Sequence, residues 1–191
     1  AFANFAETVG YDIDFIQGGY LLPAYTDAME ADYRASVAVQ QAEGVDSRIV
    51  DVAEIREIAP LLNTDGMLCG SWCAQDGLAN PFLVTDGYAR AAAAAGATIC
   101  TETEVTGLRT DAAGVTHVET TEGVIAAKWV VNAAGGFAKE VAAMAGVDVP
   151  IEPYRHQILV TEPLERCFEP MVIDRYHNIY FSQCGHGSFI A

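Results

Sequence analysis

Lysine is almost missing from this sequence: Lys128 and Lys139 are the only two, and 10 basic residues face 26 acidic ones, a formal net charge of −16. A chain so acidic, with no basic run, is repelled by phosphate backbones and anionic membrane surfaces, which sets nucleic-acid binding aside. Long apolar runs are missing too, so no bilayer span and no secretory leader is read in it. Cysteine is present but unorganised. Five residues, Cys69, Cys73, Cys100, Cys167 and Cys184, make an odd number without any Cys-x-x-Cys pair. Cys69 and Cys73 stand four apart with no histidine or second pair to complete a metal set, so no metal site is expected. Reduced, mostly buried thiols in a cytoplasmic protein are the expectation. The Gly-x-Gly-x-x-Gly pattern that grips a dinucleotide pyrophosphate is also absent.

What remains is an ordinary folding composition, 51% apolar, without repeats or low-complexity stretches. It can build a sizeable core, one body with an appendage. The chain opens at Ala1-Phe2-Ala3-Asn4-Phe5 as though inside a helix and stops at Ser188-Phe189-Ile190-Ala191 as though inside a strand. The expectation is an excised piece of a longer protein. Strands are predicted over 12–15 and 20–25, and a helix from Asp27 to about Glu43 that ends at Gly44. A strand over 48–50, a helix over 52–58 closed by Pro60, and a strand over 67–73 follow. Asn80 caps and Pro81 opens a helix over 82–95 that Gly96 stops. Short strands are expected over 98–100, 104–109, 115–121 and 124–131. The apolar run 129–134 is expected to be buried on both faces. A helix over 137–145 precedes strands over 157–161, 171–173, 178–182 and from Ser188 on. The fold class is α/β (α+β), with an antiparallel sheet as its floor and flanking helices.

The stretch Gly96 to Gly146 is the most informative. Its buried strand runs into Gly135-Gly136 and then a helix, a geometry in which bare backbone approaches a ligand closely. An ordinary strand-to-helix turn requires the same glycines, so this unit alone leaves both readings open. The ordered set is more telling: Asp-Gly, Asn-Pro, Gly-Ala-Thr-Ile, Thr-Glu-Val-Thr-Gly-Leu, Val-Glu-Thr-Thr-Glu-Gly and Trp-Val-Val-Asn-Ala-Ala-Gly-Gly-Phe-Ala. It resembles the D-amino-acid oxidase superfamily of FAD-dependent oxidoreductases. Pro153-Tyr-Arg-His-Gln-Ile-Leu-Val-Thr-Glu-Pro163 and Tyr180-Phe-Ser-Gln183 are similar to the sarcosine oxidase beta subunit, glycine oxidase and dye-linked proline dehydrogenase group.

That resemblance implies a division of the chain. Residues 1–80 and 151–191 become two parts of a substrate domain, and 81–150 part of an FAD-binding, Rossmann-like domain. It implies backbone contacts to FAD from Val105, Ala133, Ala134 and Gly135, with Phe137 at a position where relatives place an aromatic. His156 and Tyr180 become the candidate catalytic residues projecting into an amine pocket, one to take or tune a proton and one to orient the substrate. Arg155 is a candidate partner of a substrate carboxylate or of a structural ion pair. For His177 and His186, loop positions without an evident partner, a surface role is expected. The implied reaction is oxidation of the C–N bond of a sarcosine-, glycine- or proline-like amine by hydride transfer to flavin. The implied partners are the small-molecule substrate and the companion subunits of a hetero-oligomeric oxidase.

The departures from the family pattern matter as well. Besides the glycine fingerprint, the late glycine-rich segment with its substrate-pairing arginine is not found. The chain alone is therefore expected to be inactive and to hold FAD weakly or not at all. Two alternatives stay open. One is a 2-hydroxy acid or glycerol-phosphate dehydrogenase of the same superfamily, for which a phosphate substrate would want a basic cluster. The other is a binding or regulatory domain without chemistry.

Overall fold

A computed structural model describes residues 2–191. The chain divides into two compact units, Ala1–Ala97 with Ile158–Ala191, and Thr98–Gln157.

The first unit is built on a six-stranded sheet. Its strands are β1 (Tyr20–Ala24), β2 (Ser47–Val50), β3 (Cys69–Cys73), β7 (Met171–Asp174), β8 (Ile179–Gln183) and β9 (Phe189–Ile190), in the order β2-β3-β1-β7-β8-β9. All neighbours are antiparallel except β1 and β7, which pair in parallel through Tyr20↔Met171 and Leu21↔Val172. Cross-strand partners share a face and alternate residues change face. Leu21, Trp72, Val172 and Phe181 therefore point one way. With Val50 and Phe168 they form the main core, closed by Ile55 and Ala59 at helix α3 (Val52–Ile58). The opposite face carries Leu22, Ala24, Ile49 and Cys69, onto which Met29 and Tyr33 of helix α2 (Asp27–Ala42) pack. Residue alternation places Ile173 and Tyr180 on this second face, where both are half-buried.

Local chemistry sets the helix ends. Thr26 accepts from the Met29 N–H to cap α2, one residue before the expected start. Asp51 caps α3 through the Glu54 N–H, and Asn80 caps α4 (Pro81–Ala94) with Pro81 in the first turn. Gly87 of α4 lies against the ring of Phe5 in the short helix α1 (Phe5–Val9), where a Cβ would stand 2.8 Å from that ring.

The second unit holds a three-stranded meander, β4 (Val105–Asp111), β5 (Gly114–Thr120) and β6 (Gly123–Ala126). A 3-10 turn, Gly135–Phe137, then leads into α5 (Ala138–Ala143).

Several expectations fail for physical reasons. Residues 12–15 form no strand, because Asp12 accepts the Asp14 N–H through its side chain and Asp14 sits at φ 52. Residues 98–100 are exposed and unpaired with any strand. Residues 157–161 reach only an isolated bridge, Val160↔Ile190, supported by Leu159 N–H to Ala191 O and its reciprocal. The run 129–134 is not a buried strand: β6 ends at Ala126, and Trp129 and Val131 are 90% and 88% exposed. An apolar run is buried only where neighbours exist to cover it, and no described strand lies beside this one. All five cysteines are free, as expected, but only Cys69 and Cys73 are buried; Cys100 and Cys167 are exposed.

Candidate functional site

In the first unit the face that bears Tyr180 is chemically neutral. Tyr20, Leu22, Ser71, Cys73, Met171, Ile173, Tyr180, Ser182 and Ile190 share it by alternation, and none is an Asp, Glu, Lys, Arg or His. The Tyr180 side chain has no hydrogen-bond partner among the described residues, so its hydroxyl is free to serve a ligand. Tyr20, two strands across and two residues along from Tyr180, or roughly 12 Å, has its phenol pushed above the ordinary range, by burial first and then by the charge of Asp76. The Tyr20 phenol is thereby kept protonated near neutral pH and can act as a donor. Ser182, fully buried, has a hydroxyl without a protein partner.

The β7–β8 turn leading to Tyr180 is organised around one carboxylate. Asp174, 7% exposed, accepts the backbone N–H groups of Tyr176 and His177 at Oδ1, both at 3.0 Å. Its Oδ2 accepts the Tyr25 hydroxyl at 3.0 Å and the His177 Nδ1–H at 2.8 Å. Burial pushes this carboxyl up, but the donors from His177 and Tyr25 outweigh it and hold the group below its usual range. Tyr25 moves the opposite way, raised by burial and by its bond to Asp174. Its ring stacks on Tyr176 at 5.0 Å, with His177 edge-on to both.

Beyond Tyr180 on the same strand, the fully buried Gln183 gathers the segment 164–168. Its Oε1 accepts the Cys167 and Phe168 N–H groups at 2.8 and 2.9 Å, and its Nε2 donates to Glu165 O at 3.0 Å and Gly187 O at 2.9 Å.

The remaining sequence candidates lie in the second unit. Val105 opens β4, half-buried, opposite Thr120. Ala133 and Gly135 are exposed and Ala134 is half-buried, in a segment ordered by Asn132. Asn132 Oδ1 accepts the Ala134 N–H at 3.3 Å, and its Nδ2 donates to Ala138 O at 2.7 Å. His156 is exposed, with no hydrogen-bond partner among the described residues. Arg155 is exposed too and forms no ion pair among them. His156 and Tyr180 thus belong to different units. Of the loop histidines, His186 is exposed as expected, whereas His177 has the partner its sequence context did not reveal.

With this geometry in hand, comparison with known proteins is decisive for the family. The family model described as FAD dependent oxidoreductase (DAO) matches residues 1–191, and the chain belongs to that family. Mitochondrial sarcosine dehydrogenase of Mus musculus is 35% identical over 164 residues, covering 83% of this chain and 18% of that protein. Sarcosine oxidase subunit beta of Rhodobacter capsulatus is 28% identical over 193 residues, covering 99% of this chain and 47% of that one. Among solved structures, L-proline dehydrogenase from P. horikoshii matches with a TM-score of 0.91 and 35% identity, over 99% of this chain and 51% of that chain. Glycine oxidase from Geobacillus kaustophilus, at 23% identity and a TM-score of 0.79, shares the fold. The chain therefore spans about half the length of the bacterial subunit and of the proline dehydrogenase chain, and less than a fifth of the mitochondrial enzyme.

The family is FAD-dependent, and the residues present can be tested against that cofactor. Ala133 and Gly135 are exposed, and a Cβ built at Gly135 (φ 56) would meet nothing within 4 Å. Small residues with open space above them fit the close approach of a dinucleotide.

Proposed function

We propose that this chain is the substrate-facing portion of an FAD-dependent oxidoreductase that oxidises the C–N bond of a small amine or amino acid. The observation that carries the reading is the L-proline dehydrogenase match, TM-score 0.91 over 99% of the chain. The sarcosine dehydrogenase similarity at 35% supports it. Proline and sarcosine, the substrates in those two names, are both secondary amino acids, so a secondary amine is the favoured substrate class.

In this reading residues 1–80 and 151–191 belong to the substrate domain and 81–150 to the FAD-binding part, with Val105, Ala133, Ala134 and Gly135 offering backbone to FAD. FAD, when bound, supplies the hydride acceptor. The substrate would lose hydride from a carbon bonded to its nitrogen while the nitrogen lone pair closes a C=N bond, and water would then hydrolyse that bond. The nitrogen must be neutral for this step, so a group near the substrate has to take its proton. His156 is proposed for that role, and Tyr180 is proposed to orient the amine by its free hydroxyl. The sheet face, free of acidic and basic side chains, offers the amine no competing charge pairing. A substrate carboxylate finds no cationic partner on this face. Its anchor is proposed to come from outside it, and Arg155 remains a candidate. Companion subunits are proposed on the similarity to a protein named as a beta subunit.

The test is flavin reduction in the intact flavoprotein that carries this chain. His156→Ala should slow anaerobic reduction by about 100-fold or more, the scale of general-base loss. A change under about twofold removes His156 from the chemistry.

A second reading, oxidation of a 2-hydroxy acid or glycerol phosphate, draws on a glycerophosphate oxidase structure with the same fold at 20% identity. The absence of any basic side chain from the Tyr180 face argues against a phosphate substrate.

A further inference from the structure

The ladder between β1 and β7 stops early. Its pairs are Tyr20↔Met171 and Leu21↔Val172, although β1 continues to Ala24 and β7 to Asp174. Past Val172 the β7–β8 hairpin is thus no longer bonded backbone to backbone to β1, and this is where Tyr180 sits, opposite Ile173. What spans the gap is a side-chain clasp. Tyr25, the first residue after β1, donates its hydroxyl to Asp174 Oδ2 and lays its ring on Tyr176. Asp174 in turn closes the turn through the Tyr176 and His177 N–H groups and the His177 ring. Asp174 pairs with Ile179, the residue before Tyr180, so any shift of the turn is passed to Tyr180 within one register step.

We propose that Tyr25, Asp174 and His177 are positioning residues that set the place of the Tyr180 hydroxyl on the sheet face. The proposal rests on the reading of Tyr180 as the residue that orients the substrate. The carboxylate suits the task because four donors converge on it, and hydrogen bonds to a buried charge are stiffer than neutral ones. The other charged and titratable groups near the clasp are the loose pair Arg175–Asp32, at 3.7 Å, and the buried Tyr33 and Cys69. None of these hydrogen-bonds to Asp174, so the clasp is closed by Tyr25 and His177 themselves.

The test is a double-mutant cycle in the intact flavoprotein, reading the limiting rate of anaerobic flavin reduction by a secondary amino acid and its apparent Kd. Tyr25→Phe keeps the ring stack and removes the bond to Asp174. It should slow reduction about 10-fold in the native background, the scale of a small displacement of an orienting group. In the Tyr180→Phe background the same substitution should change the rate by less than about twofold, because the hydroxyl it positions is gone. A merely structural loss would act equally in both backgrounds. Should Tyr25→Phe not yield folded protein, His177→Gln, which replaces a more exposed partner, runs the same cycle. If Tyr180→Phe slows reduction and Tyr25→Phe multiplies with it or does nothing, the clasp proposal is overturned alone. If Tyr180→Phe itself is without effect, the reading of Tyr180 falls and takes the clasp with it.

Discussion

Gln183 shows how much a single side chain can hold. Its amide joins two N–H groups and two carbonyls of otherwise irregular backbone. Gln183→Leu leaves the Phe168 N–H and Gly187 carbonyl buried and unpaired, and should lower unfolding free energy by about 3 kcal/mol, read from the urea midpoint. Gly187 nearby sits at φ 100, and a Cβ there would lie 2.2 Å from Leu164 O. Neither requirement was legible in the sequence, where a glutamine at the end of a predicted strand looks like any polar residue. The same holds for the Tyr25–Asp174 bond, between residues 149 apart. Single-sequence reading sees neighbours in the chain, and contacts of that span are made only by the sheet. Asp174 also yields a pH prediction. Its folded carboxyl lies below the ordinary value, so its stabilisation is complete above about pH 4 and is lost as pH falls through the folded value. Thermal melts from pH 7 to pH 3 should show native protein and Asp174→Asn converging toward the acid end. A constant gap would contradict the assignment.

At the scale of elements, the regular pieces were legible and their edges were not. Asn80-Pro81 marks the start of α4 because a side-chain acceptor followed by a residue without an N–H suits a helix N-terminus. Asn80→Ala should cost about 1 kcal/mol, seen as a lower melting temperature. The helix 52–58 and the strands 20–24 and 171–174 are likewise visible, since each couples a cap or turn to an apolar pattern. The run 129–134 misled for a physical reason. Hydrophobicity records that a segment is suited to burial, but only partners bury it, and here the side chains of Trp129 and Val131 stand in the open. Tyr180, proposed as a site residue, was singled out through its motif, while the uncharged face around it emerged only from the register of β1, β7 and β8.

For the molecule as a whole, family membership follows from the match over residues 1–191, and the excess of acidic groups adds a property of its own. With 26 acidic residues against 10 basic ones, self-repulsion opposes folding and is screened by salt, so raising ionic strength from low salt to about 0.5 M should raise the melting temperature. The central claim concerns chemistry, and one measurement tests it most directly. Anaerobic titration of the intact flavoprotein with sarcosine, proline, glycine and 2-hydroxyglutarate, followed by flavin absorbance, separates the readings. The account predicts bleaching by a secondary amino acid, sarcosine or proline, and none by the hydroxy acid. Bleaching by 2-hydroxyglutarate alone would keep the fold and family and contradict the proposed oxidation of a C–N bond.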